Sequence, residues 1–182
     1  MKHQIISSKQ DTNFDITVSF TADTDNGLIL WKAKGDNSIS LGLRDGKLEF
    51  ELNFGNGATA MVRSEQVVAT GERQTVKLYK RNIRAELKLN NEKEVSASAD
   101  LQGNDNFINT KRKSLFVGGV KDPSQYRQTK YSGGFIGCVH QLDIYNYGSP
   151  AFGAVIDFTQ ASYVKSFWGI KCSKRCGQRG SQ

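Results

Sequence analysis

Proline is almost missing from these 182 residues, 2 against 18 glycines, so the turns fall to Gly, Asn and Asp. No apolar stretch approaches the ~20 residues that span a bilayer, which excludes an integral membrane protein. The opening residues Met1-Lys2-His3-Gln4 lack the apolar core of a signal peptide. Histidine is scarce, with only His3 and His140. Cysteine is sparse and late, at Cys138, Cys172 and Cys176, a pair plus one. There is no G-x-S-x-G elbow, no phosphate-cradling Gly loop leading into a helix and no zinc-type Cys/His cluster. Cys138 and His140 are neighbours on one strand face, whereas a nucleophile and its base converge from separate elements. No carboxylate spacing nominates a glycosidase pair. The chain is expected to be a binding module and not an enzyme.

What is present is globular: 37% hydrophobic and 24% charged residues, in a length that suits one domain. Lys and Arg number 25 against 18 Asp and Glu, a net +7. Such an excess can serve nucleic acid, anionic lipid or sulfated polysaccharide, or simply solubility. With no zinc-finger spacing or RNP-like aromatic signature, nucleic acid is not expected as a partner.

The dominant period is two. Phe14, Ile16, Val18 and Phe20 alternate with polar residues, as do Ile39, Leu41 and Leu43, and then Leu48, Phe50, Leu52 and Phe54. Asp45-Gly46 between the last two runs marks a tight hairpin turn. Val76 and Leu78 lead through Arg81-Asn82 to Ile83, Ala85, Leu87 and Leu89, a second hairpin with basic outward positions. Leu115 to Val117 and Phe135 to Ile144 supply late strands. This spacing predicts an all-β, antiparallel β-sandwich. A short helix is expected only within 157–167. Residues 1–172 form the predicted domain, and 173–182 a linker or the start of an adjoining module.

Several of these runs carry a family resemblance. Asn26-Gly27-Leu28-Ile29-Leu30-Trp31, Gly35-Asp36 and Ser40 through Phe50 resemble a laminin G-like (LNS) domain, as do Ser114 through Gly119 and Gly134 through Val139. The resemblance covers roughly residues 10 to 172. It is nearest to the modules of basement-membrane proteoglycans of the perlecan and agrin type, with laminin α chains and neurexins more distant. Glu72-Arg73-Gln74-Thr75 stands where many members have a Trp-His pair, a departure expected to touch core packing. The resemblance implies a concanavalin A-like jelly roll of about 14 strands. It implies a Cys138–Cys172 disulfide, with Cys138–Cys176 as the competing pairing, and a secreted protein of the extracellular matrix. No Asn-x-Ser/Thr sequon occurs, so N-glycosylation is not expected.

The resemblance further implies a weak Ca²⁺ site at one rim, held by Asp36, Asn109 and the carbonyls of Phe54 and Phe107. Asn37 and Thr110 are alternative donors. Oxygen ligands from separate loops suit this ion. Family members also bind heparin or heparan sulfate through basic loops, which here nominates Lys111, Arg112 and Lys113 with Lys80, Arg81 and Arg84. The expected function is adhesion or assembly: recognition of a sulfated or anionic glycan, a dystroglycan-type receptor glycan or a matrix protein, with calcium. The alternatives are a carrier sandwich holding a small hydrophobic ligand between its sheets, and a structural spacer.

Overall fold

Period-two alternation becomes register in a computed structural model, which describes residues 3–4, 13–55, 57–81, 84–90, 94–98, 108, 114–120, 122–146 and 153–157. Twelve strands lie among them. They are β1 (His3–Gln4), β2 (Asn13–Ala22), β3 (Gly27–Lys34), β4 (Asn37–Arg44), β5 (Lys47–Phe54) and β6 (Thr59–Val67). There follow β7 (Arg73–Arg81), β8 (Arg84–Leu89), β9 (Glu94–Ser98), β10 (Ser114–Val117), β11 (Gly137–Asn146) and β12 (Gly153–Asp157). They build two six-stranded sheets, ordered β1-β10-β3-β4-β5-β6 and β12-β11-β2-β7-β8-β9. Every pairing between named strands is antiparallel, as predicted for a sandwich.

One apolar face of each sheet meets the other. Val18 and Phe20 of β2, Leu41 and Leu43 of β4, and Phe50 of β5 are at most 1% exposed and belong to a single cluster. Phe20 packs edge-on against Phe135, with ring centroids 5.8 Å apart. The β4–β5 hairpin turns on Asp45 (φ 52°) and Gly46 (φ 73°), the paired left-handed conformations of a two-residue turn that matches strand twist. This is the turn that Asp45-Gly46 announces.

A smaller apolar cluster lies on the outer face of the first sheet, where Leu28 and Trp31 meet Val120 and Tyr131. The connection from β10 to β11 runs across that face. It contains a 3-10 turn, Pro123–Gln128, capped by Asp122, whose carboxylate accepts from the Ser124 N–H at 2.9 Å. Gly42 is needed beneath it, because a Cβ there would sit 2.4 Å from the Tyr131 ring and 2.7 Å from the Gly27 carbonyl oxygen. The Tyr131 hydroxyl donates to the Glu49 carbonyl at 3.3 Å.

One expectation changes, and one strand was not anticipated. Asp157, the first residue of the expected helix, instead ends β12, and 158–167 lie outside the described residues, as does the boundary at 172–173. The strand Thr59–Val67 carries only Ala60, Val62 and Ser64 on its buried side, too weak an apolar alternation to mark it in advance.

Candidate functional site

The rim expected to hold calcium begins at the β3–β4 turn, where Gly35 (φ 57°) reverses the chain and leaves Asp36 exposed. Asn37, the first residue of β4, pairs with Phe54, the last of β5. Gly55 (φ 79°) then folds the chain so closely over Asn37 that a Cβ would lie 2.4 Å from the Asn37 amide nitrogen. Two further bonds fix this loop: the Phe54 N–H donates to the Ala58 carbonyl (3.1 Å) and the Gly55 N–H to the Asn53 side chain (2.9 Å). Asp36 and Phe54 are thereby brought to one end of the first sheet.

The second sheet reaches the same end. Lys80 places its ammonium 5.7 Å from the centroid of the Phe54 ring. Arg81 follows at the end of β7, 40% exposed, ion-paired with Asp15 at 2.5 Å and 5.6 Å from the Tyr79 ring centroid. Arg84 opens β8, 63% exposed and 3.8 Å from Glu86. Arg81 and Arg84 both reach solvent at this end, Arg81 held by Asp15 and by the carbonyls of Phe14 and Lys80.

Lys80 is not, and its assignment to a glycan-binding surface is corrected here. Its side chain is 0% exposed. Strand parity is the reason: Val76, Leu78 and Lys80 share the inward face of β7, and Lys80 pairs with Phe14 and Ala85, both core residues. That parity was readable in the sequence, where Lys80 continues the apolar set Val76 and Leu78.

Phe107, Asn109, Lys111, Arg112, Lys113 and Cys172 lie outside the described residues. Ile108, between two of the expected ligands, is 0% exposed and belongs to the main core. An exposed carboxylate and main-chain oxygens are the donor chemistry of a hard cation such as Ca²⁺. Among the described residues no three His, Cys, Asp or Glu side chains gather as a metal cluster. The buried Lys80 ammonium works against a second cation at this rim.

Two arrangements elsewhere were missed by sequence reasoning. On the outer face of the first sheet, Glu49 is 3% exposed between Arg44 and Arg63, each with its Nε 3.6 Å from the carboxylate. Burial pushes the Tyr131 phenol above its ordinary range, with the charges of Glu49 and Glu51 adding to the rise. In the second sheet the pairing of β2 with β11 shifts between Val139 and Gln141, leaving His140 as an extra residue. Its Nε2 lies 2.9 Å from the Thr21 hydroxyl oxygen. Burial, and then the nearby Arg73, hold its pKa below the usual imidazole value. Arg73 itself is exposed, so the Glu72–Thr75 departure places a charged residue at the surface at the start of β7. Cys138, 1% exposed, is engaged in a disulfide, and both possible partners lie outside the described residues.

A family model described as Laminin G domain matches residues 20–147. The chain is 34% identical to human pikachurin over 138 residues, covering 72% of this chain and 13% of that protein. It is 25% identical over 142 residues to the basement membrane proteoglycan of Caenorhabditis elegans, covering 71% of this chain and 4% of the other. Against the mouse basement membrane-specific heparan sulfate proteoglycan core protein it is 29% identical over 135 residues, 71% of this chain and 3% of that one. Among solved structures, domains LG4-5 of the mouse laminin alpha1 chain align with a TM-score of 0.65 at 22% identity, over 89% of this chain and 43% of that one. The fold and the matched residues thus define a laminin G-type jelly-roll sandwich. The chain belongs to the Laminin G domain family. It spans only a small part of the curated relatives it matches. Among the described residues no helix is long and apolar enough to cross a membrane.

Proposed function

We propose that this chain is a non-catalytic adhesion or assembly module of a secreted extracellular-matrix protein, binding sulfated or anionic glycan, including receptor glycan of the dystroglycan type, or a matrix protein. The observation that carries the reading is the rim itself. One end of the sandwich joins the exposed Asp36 turn and the Phe54 strand end to the exposed guanidinium groups of Arg81 and Arg84. Guanidinium groups offer sulfate several donors in a fixed fork. Asp36 and the Phe54 carbonyl, with Asn109 and the Phe107 carbonyl, would hold Ca²⁺; the ion would supply open coordination positions for sugar oxygens. Lys111, Arg112 and Lys113 extend the basic surface in this reading. The pair Cys138–Cys172 would close 35 residues and add about 3–4 kcal/mol of stability in the loop-entropy model.

The family relationship supports this reading over a hydrophobic carrier, and so does the packing. The space between the sheets is filled by side chains such as Phe20, Phe50 and Phe135, all 0% exposed. Calorimetry against millimolar CaCl₂, with heparin-column elution, tests it. Binding heat that Asp36→Ala abolishes and earlier elution of Arg81→Ala/Arg84→Ala are expected. No calcium heat together with unchanged elution would refute it.

A further inference from the structure

The first sheet ends on a strand whose outer main-chain groups are open. Among the described strands β6 pairs with β5 alone. The Phe54 N–H donates to the Ala58 carbonyl at 3.1 Å, which makes these two a hydrogen-bonded pair at the start of the β5–β6 ladder. Bonded and non-bonded pairs alternate along an antiparallel ladder, so Leu52–Ala60 and Phe50–Val62 are bonded as well. The Leu48 N–H, next in the same alternation, reaches the Ser64 hydroxyl of β6 at 3.0 Å. Thr59, Met61 and Arg63 therefore turn their N–H and C=O groups away from β5, toward the edge. All three residues are exposed.

Sheet edges are commonly guarded by Lys, Pro or a bulge. Residues 59–63 contain neither Lys nor Pro. Arg63 does not guard the edge, because its guanidinium folds back to the Arg44 carbonyl (3.2 Å), Asp45 (3.4 Å) and Glu49 (3.6 Å). A bulge does follow. Glu49 pairs with Arg63 but Lys47 with Val67, and the extra residues of β6 are held by the Ser64 hydroxyl donating to the Gln66 carbonyl at 2.8 Å. Regular pairing stops there, which leaves 59–63 as a short, unguarded run. At its centre Met61, 44% exposed, stands on the outer face of the sheet, while Ala60 and Val62 face the core.

That run is complementary to itself. Two copies laid antiparallel about a two-fold axis through Met61, normal to the sheet, set Met61 against Met61 and each Thr59 against the other copy's Arg63. These are the residues with open groups, so every opposed pair exchanges both main-chain bonds. The faces match too: Ala60 meets Val62 on the core side, and the two Met61 thioethers meet on the outer side. No like charges oppose one another, since each Arg63 lies across from a Thr59 and is already paired within its own chain.

We propose that β6 is a homodimerisation edge, through which two copies of this chain join their six-stranded first sheets into one continuous sheet. The two-fold pairing closes on itself, so it yields dimers and not fibres. Five residues a side make a smaller contact than the roughly 1,200 Å² of a stable complex, so the dimer is weak, with a Kd of roughly 0.1 mM. It forms where copies are crowded together. Because the strands run in opposite directions, the Gly55 turn and the Asp36 end lead away from the axis on opposite sides. The dimer therefore presents its two rims facing apart, whatever they bind.

Sedimentation velocity of the full chain between about 10 µM and about 1 mM is the test. Wild type should pass from monomer to dimer over that range. Met61→Lys sets two ammonium groups against each other across the axis and should raise the dissociation constant at least tenfold. Met61→Pro removes an N–H that β5 does not use, so it should block pairing with the fold intact; thermal melts check both variants. Amide exchange followed by NMR should slow with concentration at Thr59, Met61 and Arg63, while Ala60 and Val62 stay protected throughout. A chain that is still monomeric at the top of the range overturns the proposal. So does a dimer that folded Met61→Lys forms as readily as wild type. Protection of the three edge amides by an added alternating Thr-Val peptide, in a chain that stays monomeric, would overturn it in favour of a foreign strand. Calcium heat should be unchanged in Met61→Pro, so the rim reading stands or falls separately.

Discussion

The Lys80 ammonium faces the Phe54 ring at 5.7 Å, joining the inner side of β7 in one sheet to the end of β5 in the other. A cation held over an aromatic face is stabilised by the ring quadrupole, more so when water is excluded. Lys80→Met keeps the length of the side chain and removes the charge. Because Lys80 is sealed from solvent, the variant should leave a heparin column at the same salt as wild type, whereas Arg84→Ala should leave earlier. The same variant should show a larger calcium-induced rise in melting temperature, since one positive charge beneath the rim is gone.

Glu49 is expected to carry a substantial share of stability for a polar residue. It is 3% exposed and flanked by Arg44 and Arg63, so Glu49→Ala removes the buried carboxylate that holds two partly exposed guanidinium groups against the sheet. Urea unfolding should show a loss of about 2–4 kcal/mol, below the upper range for a broken buried pair because both arginines reach solvent.

Gly42→Ala should be comparably costly for a steric reason. The added methyl meets both a ring and a backbone oxygen, and the backbone cannot rotate away. A loss of about 1–3 kcal/mol is expected, with the Tyr131 segment lifted from the sheet and its ring more exposed to solvent quenchers. Tyr131→Phe keeps the packing and removes only the bond to the Glu49 carbonyl, costing about 1 kcal/mol by the same measurement.

His140 makes stability depend on pH with a definite sign. Its folded pKa lies below the ordinary imidazole value of 6.5, so the unfolded chain binds the proton more readily. Its contribution is complete above pH 6.5 and is lost as pH falls through the folded pKa. Urea midpoints measured from pH 7.5 to 5 should fall less steeply in His140→Gln than in wild type.

Much of the sandwich was legible because its strands alternate with large apolar residues. Phe14 to Phe20 and Leu48 to Phe54 could face the core in only one register, and Asp45-Gly46 could only be a tight turn. The edge strand β6 was harder to read, since the exposed Met61 is as apolar as the inward Ala60 and the inward Ser64 is polar, which blurs the alternation. At the candidate site, turn position and charge nominated Asp36 and Arg84, and both are exposed at the rim. Lys80 was misread because charge was given more weight than strand parity. His140 and Arg73 come together only through a register shift in β11 and a pairing across β2, and neither is local in the sequence. Glu49 was hidden for the same kind of reason: its burial comes from a segment some 80 residues later folding over the sheet.

The place of β2 also bears on the order in which the molecule can form. It lies between β7 and β11, yet residues 13–22 precede their partners in 137–146 by over a hundred positions. At translation rates of about 5–20 residues per second, β2 can join β7 while one of its edges stays unpaired for roughly 6–25 s until β11 is made. During that interval an amphipathic strand carrying Phe14, Ile16, Val18 and Phe20 offers open backbone groups to any other chain nearby. Nascent copies are therefore most prone to mispairing along this edge, and folding yield should respond to expression temperature and chaperone supply more than equilibrium stability would indicate.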